Sequence, residues 1–236
     1  MKFNIPALRK LFLLLSVITC CSITQAQPAY NYSKFDFGIA AAINKPYTDE
    51  LSTDFKPSGL VNITYNQTPF INYVAELQAG ELTGKSYYSD LNKRDFSTKF
   101  AMASLRGQLQ AGQLFNYYNN RFLNAMKNLY ISSGIGAMYT RAEVNSIVIQ
   151  NNQYKTVVSR PSDYAVVIPA RVGYEFKIFN YDKEPFIKVD IGYQFNYIFG
   201  DSLDGNISGS SNDSFSQFTL GIKFAVPGVA TYKRPI

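Results

Sequence analysis

The feature that most constrains this chain is a strict alternation of apolar and polar side chains, clearest between residues 187 and 199. There Ile187 and Val189 begin one apolar face, and Lys188 and Asp190 begin the opposite polar face. Side chains of a β-strand alternate between two faces, whereas those of a helix repeat every 3.6 residues or so, about one turn. The pattern therefore predicts a β-strand with one apolar and one polar face, longer than most strands of globular proteins.

The same alternation predicts seven further strands. The connections between them alternate between short turns and long polar segments. The eight predicted strands cover residues 35–43, 61–66, 73–80, 105–115, 129–139, 164–178, 187–199 and 217–224. The short turns are residues 67–71 and 180–185, and the long connections are residues 44–56, 83–96, 142–163 and 200–213. On the short side, residues 116–127 form an exception, in which Phe122, Leu123 and Met126 predict one face of a brief interfacial helix.

The first 26 residues are typical of a secretory signal peptide. Basic residues precede an apolar stretch at residues 11–18, and small residues before and at Ala26 predict cleavage there. Both cysteines, Cys20 and Cys21, lie in this segment, so the exported chain is expected to have no disulfide. Without the segment, 20 basic residues face 17 acidic ones, which argues against a nucleic-acid partner.

Composition excludes several further classes of protein. The chain is 46% hydrophobic and 17% charged, which disfavours disorder. Beyond residue 26, no apolar run approaches the roughly 18 residues of a membrane-spanning helix. The chain has no His, which enzymes of outer membranes generally use to activate Ser or water, so we expect a protein that is not an enzyme and needs no cofactor or metal.

An even number of strands, apolar faces directed outward and unequal connections predict an all-β fold, an eight-stranded antiparallel up-and-down transmembrane β-barrel. Two outward aromatic girdles support this prediction, since aromatic rings concentrate at membrane interfaces. A soluble barrel of the lipocalin kind is the alternative, but its apolar residues would face inward. The girdle residues are Phe35, Phe37, Tyr65, Tyr73, Phe115, Phe176 and Phe224 at the short-turn end and Tyr139, Tyr164, Tyr197, Phe199 and Phe218 at the other.

These strands, together with the signal peptide and the terminal alternation Phe218, Leu220, Ile222 and Phe224, resemble the small outer-membrane β-barrels typified by the OmpA membrane domain and OmpX. The resemblance implies that these four residues are the signal read by the barrel assembly machinery. It also implies a barrel domain of residues 27–225 in the outer membrane of a Gram-negative bacterium, with porin-like relatives. The chain departs from the family after the last strand, where we expect a periplasmic tail of residues 226–236.

The inward charges are the most specific candidate site, with four acids and five bases that nearly cancel. An eight-stranded barrel is only wide enough to be filled by side chains, so these charges are expected to pair and hold the barrel shut. A selectivity filter or gated pore is the other interpretation. The predicted lumen charge network is Asp36, Glu76, Arg106, Arg171, Glu175, Lys177, Lys188, Asp190 and Lys223.

The function expected from these features is structural, adhesive or partner-binding, exerted through the long extracellular loops. Residues 146–150 and 154–159 flank Asn151 and Asn152, which predicts a hairpin above the membrane whose exposed edge would recruit a surface or envelope partner to residues 142–163. Residues 85–96 are a candidate contact for lipopolysaccharide, besides outer-membrane lipid. Two alternatives stay open: a narrow porin-like channel for ions or small polar solutes, and an accessory subunit of a secretion or uptake complex.

Overall fold

The computed structural model describes residues 30–47, 52–87, 93–117, 120–150, 153–181, 183–199, 203 and 213–233, so the predicted signal peptide lies outside the described residues. The strands are β1 Tyr30–Ser33, β2 Phe35–Tyr47, β3 Ser52–Asp54, β4 Lys56–Asn66, β5 Ile71–Tyr87, β6 Lys93–Gln110, β7 Leu129–Gln150, β8 Gln153–Ser159, β9 Ser162–Phe179, β10 Pro185–Phe199, β11 Ser214–Ala225 and β12 Val229–Tyr232. A 3₁₀ turn, Ala111–Gln113, and one α-helix, α1, Arg121–Met126, lie between β6 and β7. Within these ranges, no helix is long and apolar enough to cross a membrane.

Eight strands close into an antiparallel barrel, which confirms the predicted fold. Each of β2, β4, β5, β6, β7, β9, β10 and β11 pairs with its neighbours in this order. The first and last of them pair with each other, with Ile43 opposite Phe218 and Phe37 opposite Phe224. Every strand of the cycle therefore has two partners, and the barrel has no open edge along its wall.

The strands extend further into the long connections than the sequence indicates. β5 runs to Tyr87 and β6 begins at Lys93, so most of the connection predicted at residues 83–96 is strand. The predicted hairpin is confirmed, because the end of β7 pairs with β8 from Val144 opposite Ser159 to Gln150 opposite Gln153. The prediction for Phe115 is wrong: β6 ends at Gln110, and Phe115 lies half-buried in the following connection.

The two faces of the barrel wall have the polarity that the alternation predicts. On β11, Phe218 and Leu220 are 53% and 52% exposed, whereas Thr219 between them is fully buried. Large apolar side chains therefore cover the outer surface and polar ones fill the interior, as in a barrel whose surroundings are lipid. The four outward apolar residues of the proposed assembly signal, Phe218, Leu220, Ile222 and Phe224, all lie on this outer face.

Aromatic residues form contacts at both ends of the outer surface. At the short-turn end the rings of Phe35 and Tyr65 are 5.3 Å apart, and at the long-loop end those of Tyr139 and Tyr164 are 4.9 Å apart. Helix α1 lies at the short-turn end as predicted, where Asn120 caps it by accepting from the backbone N–H of Phe122, which is 69% exposed.

The short-turn end is covered by an aromatic cluster. Phe70, in the turn between β4 and β5, is 1% exposed and packs edge-on against Tyr117 at 5.7 Å and Tyr232 at 6.4 Å. Tyr232 belongs to the segment after the last barrel strand, where β12 pairs with β1. The Lys127 ammonium lies 5.1 Å from the Tyr117 ring, and burial lowers the pKa of this amine. The tail thus returns onto the barrel end that it leaves.

Candidate functional site in the barrel interior

All nine charged residues singled out in the sequence point into the barrel. Eight of them are at most 6% exposed, and Lys177 is half-buried near the short-turn end. Side chains alternate between the two faces of a strand, and in a closed barrel one of these faces points inward. Each of the nine charges occupies an inward position of its strand. The buried eight are Asp36, Glu76, Arg106, Arg171, Glu175, Lys188, Asp190 and Lys223.

Direct cross-strand neighbours in this cluster carry the same charge. Lys188 on β10 lies opposite Lys177 on β9 and Lys223 on β11, and Asp190 lies opposite Glu175. Like charges in directly opposed positions repel each other, and here they are buried. Favourable pairing is therefore possible only along diagonals or across the lumen, which is the arrangement observed.

Six of the charges form one continuous chain of ion pairs across the interior. The Lys223 ammonium lies 2.5 Å from Glu175 Oε1 and 2.8 Å from Asp190 Oδ2. Arg171 joins Asp190 at 3.0 Å to Glu76 at 3.6 Å, and Arg106 lies 2.8 Å from the same Glu76 oxygen. The chain links strands from opposite sides of the barrel, and its three acids and three bases neutralise one another. We call these six residues, Glu76, Arg106, Arg171, Glu175, Asp190 and Lys223, the ion-pair belt.

The remaining three charges lie beside the belt at the short-turn end. Lys188 is 2.5 Å from Asp36 Oδ2, which also accepts from the Asn66 amide at 2.8 Å. Lys177 donates to Gln110 Oε1 at 2.8 Å, and the Gln110 amide donates to Glu175 Oε2 at 2.6 Å. Gln110 therefore connects Lys177 to the belt through a neutral group.

Tyr130 is part of this site, although no charge pattern in the sequence marks it. Its side chain is 1% exposed and its hydroxyl donates to Asp190 Oδ1 at 2.7 Å. Gly173 and Gly192 are opposite each other on β9 and β10, and a Cβ on either would meet the Tyr130 hydroxyl within 3.0 Å. The signal that could have identified it is this pair of inward glycines, because they make room for a large neighbour.

A layer of amides lies above the belt, toward the long-loop end. Gln78 donates to Ser58 Oγ and to Gln217 Oε1, each at 2.8 Å. Gln194 donates to Asn196 Oδ1 at 2.8 Å. Within the described ranges, several buried atoms of this layer have no hydrogen-bond partner, including Asn44 Nδ2, Gln194 Oε1 and Gln217 Nε2. Buried polar atoms are generally satisfied, so ordered water is expected between these side chains.

The outermost layer of the interior is apolar, which differs from the uniformly polar inner face that the sequence analysis expects. Leu203, from the connection between β10 and β11, is 1% exposed and packs among inward side chains of the wall. Its carbonyl accepts from Thr98 Oγ1 at 2.6 Å, and its N–H donates to Asp213 Oδ2 at 2.8 Å. The cluster consists of Leu82, Phe100, Met102, Met138, Ala165, Val167, Ile198, Leu203 and Phe215.

The interior thus contains four successive layers of side chains. Apolar, amide, ion-pair and aromatic layers follow one another from the long-loop end to the short-turn end. In the part of the chain that the structure describes, no group of three or more His, Cys, Asp or Glu could hold a metal ion. With large apolar side chains outside and mainly charged and amide side chains inside, the protein is an eight-stranded transmembrane β-barrel of the small outer-membrane type.

Solved structures with similar folds are small outer-membrane β-barrels. Neisserial surface protein A is 15% identical, with 85% of this chain and 100% of that chain covered and a TM-score of 0.44. Ail, the attachment invasion locus protein of Yersinia pestis, is 12% identical, with 82% and 98% covered and a TM-score of 0.46. The outer membrane protein OprG from Pseudomonas aeruginosa is 12% identical, with 83% and 98% covered and a TM-score of 0.39. No protein-family model matches the sequence, and no curated protein matches it either.

Proposed function

We propose that the protein is a non-enzymatic barrel of the outer membrane with a closed lumen, and that it works through its long extracellular loops as an adhesive or partner-binding protein. The observation that carries the proposal is the ion-pair belt. Its six charges join opposite walls by contacts of 2.5–3.6 Å, so a water-filled path along the axis would have to break them. A barrel with a closed lumen would act through the residues outside the lumen, which are those of the loops.

Planar-bilayer recording tests the closed lumen. The purified barrel, first shown to be folded by the faster migration of its unheated band on a gel, is expected to give no discrete conductance steps. Separating buried ion pairs to admit water is costly, because their geometry is what offsets their desolvation. Discrete steps whose size changes on neutralising Lys188 or Asp190 would contradict the closed lumen and make the protein a pore.

A narrow channel is the second candidate, and the amide layer favours it. Its unpaired polar atoms on Asn44, Gln194 and Gln217 indicate water inside the barrel. A channel would need that water to continue past the belt and past the Leu203 cluster. The closed barrel and the channel therefore differ in whether water passes the ion-pair belt and the Leu203 cluster. The same planar-bilayer recordings distinguish them.

The β7–β8 hairpin is the surface best suited to a partner. It continues β7 beyond the barrel wall, where β9 takes over as the partner of β7 from Arg141 onward to Leu129. Among the described residues, β8 pairs with β7 alone, so the other edge of β8 offers backbone N–H and C=O groups for β-strand addition. An extended segment of a surface or envelope protein is the class of partner that this edge accommodates.

Deleting residues 146–158 tests this role. The deletion removes the paired ends of β7 and β8 and leaves the β7–β9 pairing that closes the barrel. We expect a folded barrel in the outer membrane, shown by the unheated gel band, and the loss of binding to a host-cell or envelope preparation that the unaltered cells bind. Binding that survives the deletion at full strength would exclude the hairpin as the partner site.

A further inference from the structure

The outer surface of the barrel changes abruptly from charged to apolar along β6 and β7. On β6, Lys99 is followed on the same face by Ala101 and Ala103. On β7, Arg141 lies directly opposite Lys99 and is preceded on this face by Tyr139. Since Tyr139 belongs to the aromatic girdle, Lys99 and Arg141 lie at the level where the membrane meets water.

Lys99 and Arg141 form a pair of opposed like charges, and both are exposed. Among the described residues, neither takes part in an ion pair within 4 Å. Opposed like charges destabilise a strand pair, so the position gains stability when an anion lies between them. Lys99 and Arg141 together therefore favour the binding of an anion at the membrane surface.

A hollow of about 260 Å³ lies at this pair of charges. It is lined by Ser97, Lys99, Arg141, Ala142, Glu143 and Arg160. Its one carboxylate, on Glu143, is bound by Arg160 at 3.1 Å. A second acid, Glu81, lies opposite Lys99 on β5 and accepts from Ser97 Oγ at 2.6 Å. Three cations against two engaged carboxylates leave this surface positive.

Below the hollow, the outer wall has an apolar groove, lined by alanines of β5, β6 and β7 together with larger apolar side chains. Its upper part has a volume of about 700 Å³ and includes Ala79, Ala101 and Tyr139, and a lower part of about 820 Å³ includes Ala103 and Ala137. We call these two parts the alanine groove. From Lys99 to Leu105, which borders the lower part, β6 rises by about 20 Å. That length suits an extended acyl chain.

We propose that the hollow and the alanine groove bind a phosphorylated, acylated glycolipid of the outer leaflet. Lys99 and Arg141 bind a phosphate of its headgroup, and one acyl chain lies in the groove. A cationic hollow adjacent to an apolar groove along β6 and β7 fits an anionic amphiphile better than a second copy of the chain, whose own Lys99 and Arg141 would meet these residues across a two-fold axis. The inference rests on the membrane-spanning barrel and its orientation and is independent of whether the lumen conducts.

Lipid retention by the barrel tests the site. The full-length protein is extracted from outer membranes in a mild detergent, titrated with bis-phosphorylated lipid A, and the bound lipid is counted by native mass spectrometry. Lys99→Ala with Arg141→Ala is expected to weaken retention at least tenfold, because charge-assisted contacts to phosphate are among the strongest polar contacts. Lipid A with both phosphates removed should bind the unaltered barrel as weakly as lipid A binds this double variant.

Lys45 provides the matched control for charge. It is an outward lysine at the long-loop end of β2 that lines neither the hollow nor the groove, and its ammonium lies 5.7 Å from the Tyr47 ring and 5.5 Å from the Phe55 ring. Lys45→Ala is expected to leave retention unchanged. Equal losses in Lys45→Ala and in the double variant, or tight retention of phosphatidylglycerol, would overturn the assignment to this site and this lipid.

Filling the groove tests the acyl chain separately. Ala103→Leu with Ala137→Leu places larger side chains against lipid, where the fold tolerates them, and is expected to weaken retention of both phosphorylated and dephosphorylated lipid A. Ala170→Leu, at an outward alanine of β9 that does not line the groove, is the control. Unchanged lipid retention in the variant with the filled groove would overturn the proposal. So would a cross-linked dimer of the unaltered protein that the filled variant no longer forms while it still binds lipid. The unheated gel band shows for every variant that the barrel is folded.

Discussion

Replacing Glu76 by Gln is expected to lower the free energy of unfolding by about 3 kcal/mol or more, because it leaves buried guanidinium groups without their partner. Glu76 is 3% exposed, and one of its oxygens lies 2.8 Å from Arg106 and 3.6 Å from Arg171. After the substitution, Arg171 keeps Asp190 at 3.0 Å, but Arg106 loses its ion pair. Denaturant unfolding of the barrel in lipid vesicles, followed by the gel shift, measures the loss.

An exposed ion pair of the same chain provides the control. Glu143 and Arg160 lie 3.1 Å apart with side chains 51% and 62% exposed, so Glu143→Gln is expected to cost less than about 1 kcal/mol. Adding Arg106→Gln to Glu76→Gln removes the stranded charge and should restore part of the stability, a coupling of about 0.5–3 kcal/mol. If the two single Glu variants lose equal stability, the belt does not hold the barrel together.

The alternation in the sequence predicted the barrel because, within the membrane, one face of each strand meets lipid and the other meets a polar interior. The alternation predicted the strand ends less well. Outside the membrane the apolar face of a strand points inward and the polar face points outward, which is the reverse of the arrangement within the membrane. On β7, Ala142 and Val144 point inward and pack with Phe96, while Glu143 and Asn145 are exposed. There the outer face meets water and the inner face is a small apolar core. The apolar layer around Leu203 has a different cause: on β9 the buried Val167 lies between the exposed Val166 and Ile168, so both faces are apolar at this level and the alternation gives no signal.

The nine inward charges could be identified from the sequence because each stands at a polar position of an alternating strand. Their partners could not, since pairing depends on the register between strands distant in the chain. Asp36 and Lys188 are 152 residues apart and meet only when β11 closes the barrel between them. Neutral members such as Tyr130 and Gln110 gave no signal of charge, and their place in the network follows from the three-dimensional arrangement alone.

Replacing Gly134 by Val is expected to prevent the barrel from forming, because the space beside this glycine is occupied by the neighbouring strand. A Cβ at Gly134 would overlap the carbonyl oxygen of Leu105 and lie 2.7 Å from the Cα of Arg106. These are backbone atoms of β6, which pairs with β7 along the wall, so they cannot move without breaking the ladder. Overpacking typically costs about 1–3 kcal/mol even where side chains can shift.

Gly107 is the matched control for Gly134, since it lies on the neighbouring strand of the same pair, opposite Ser133. It faces outward, and a Cβ there would meet nothing within 4 Å. Gly107→Val is therefore expected to fold at least as well as the unaltered chain, because valine favours strands and glycine weakens them. Both variants are refolded in parallel and compared by the unheated gel band and by protease resistance. A folded band for Gly134→Val equal to that for Gly107→Val would contradict the close approach of β6 and β7, and with it the tight interior on which the closed lumen depends.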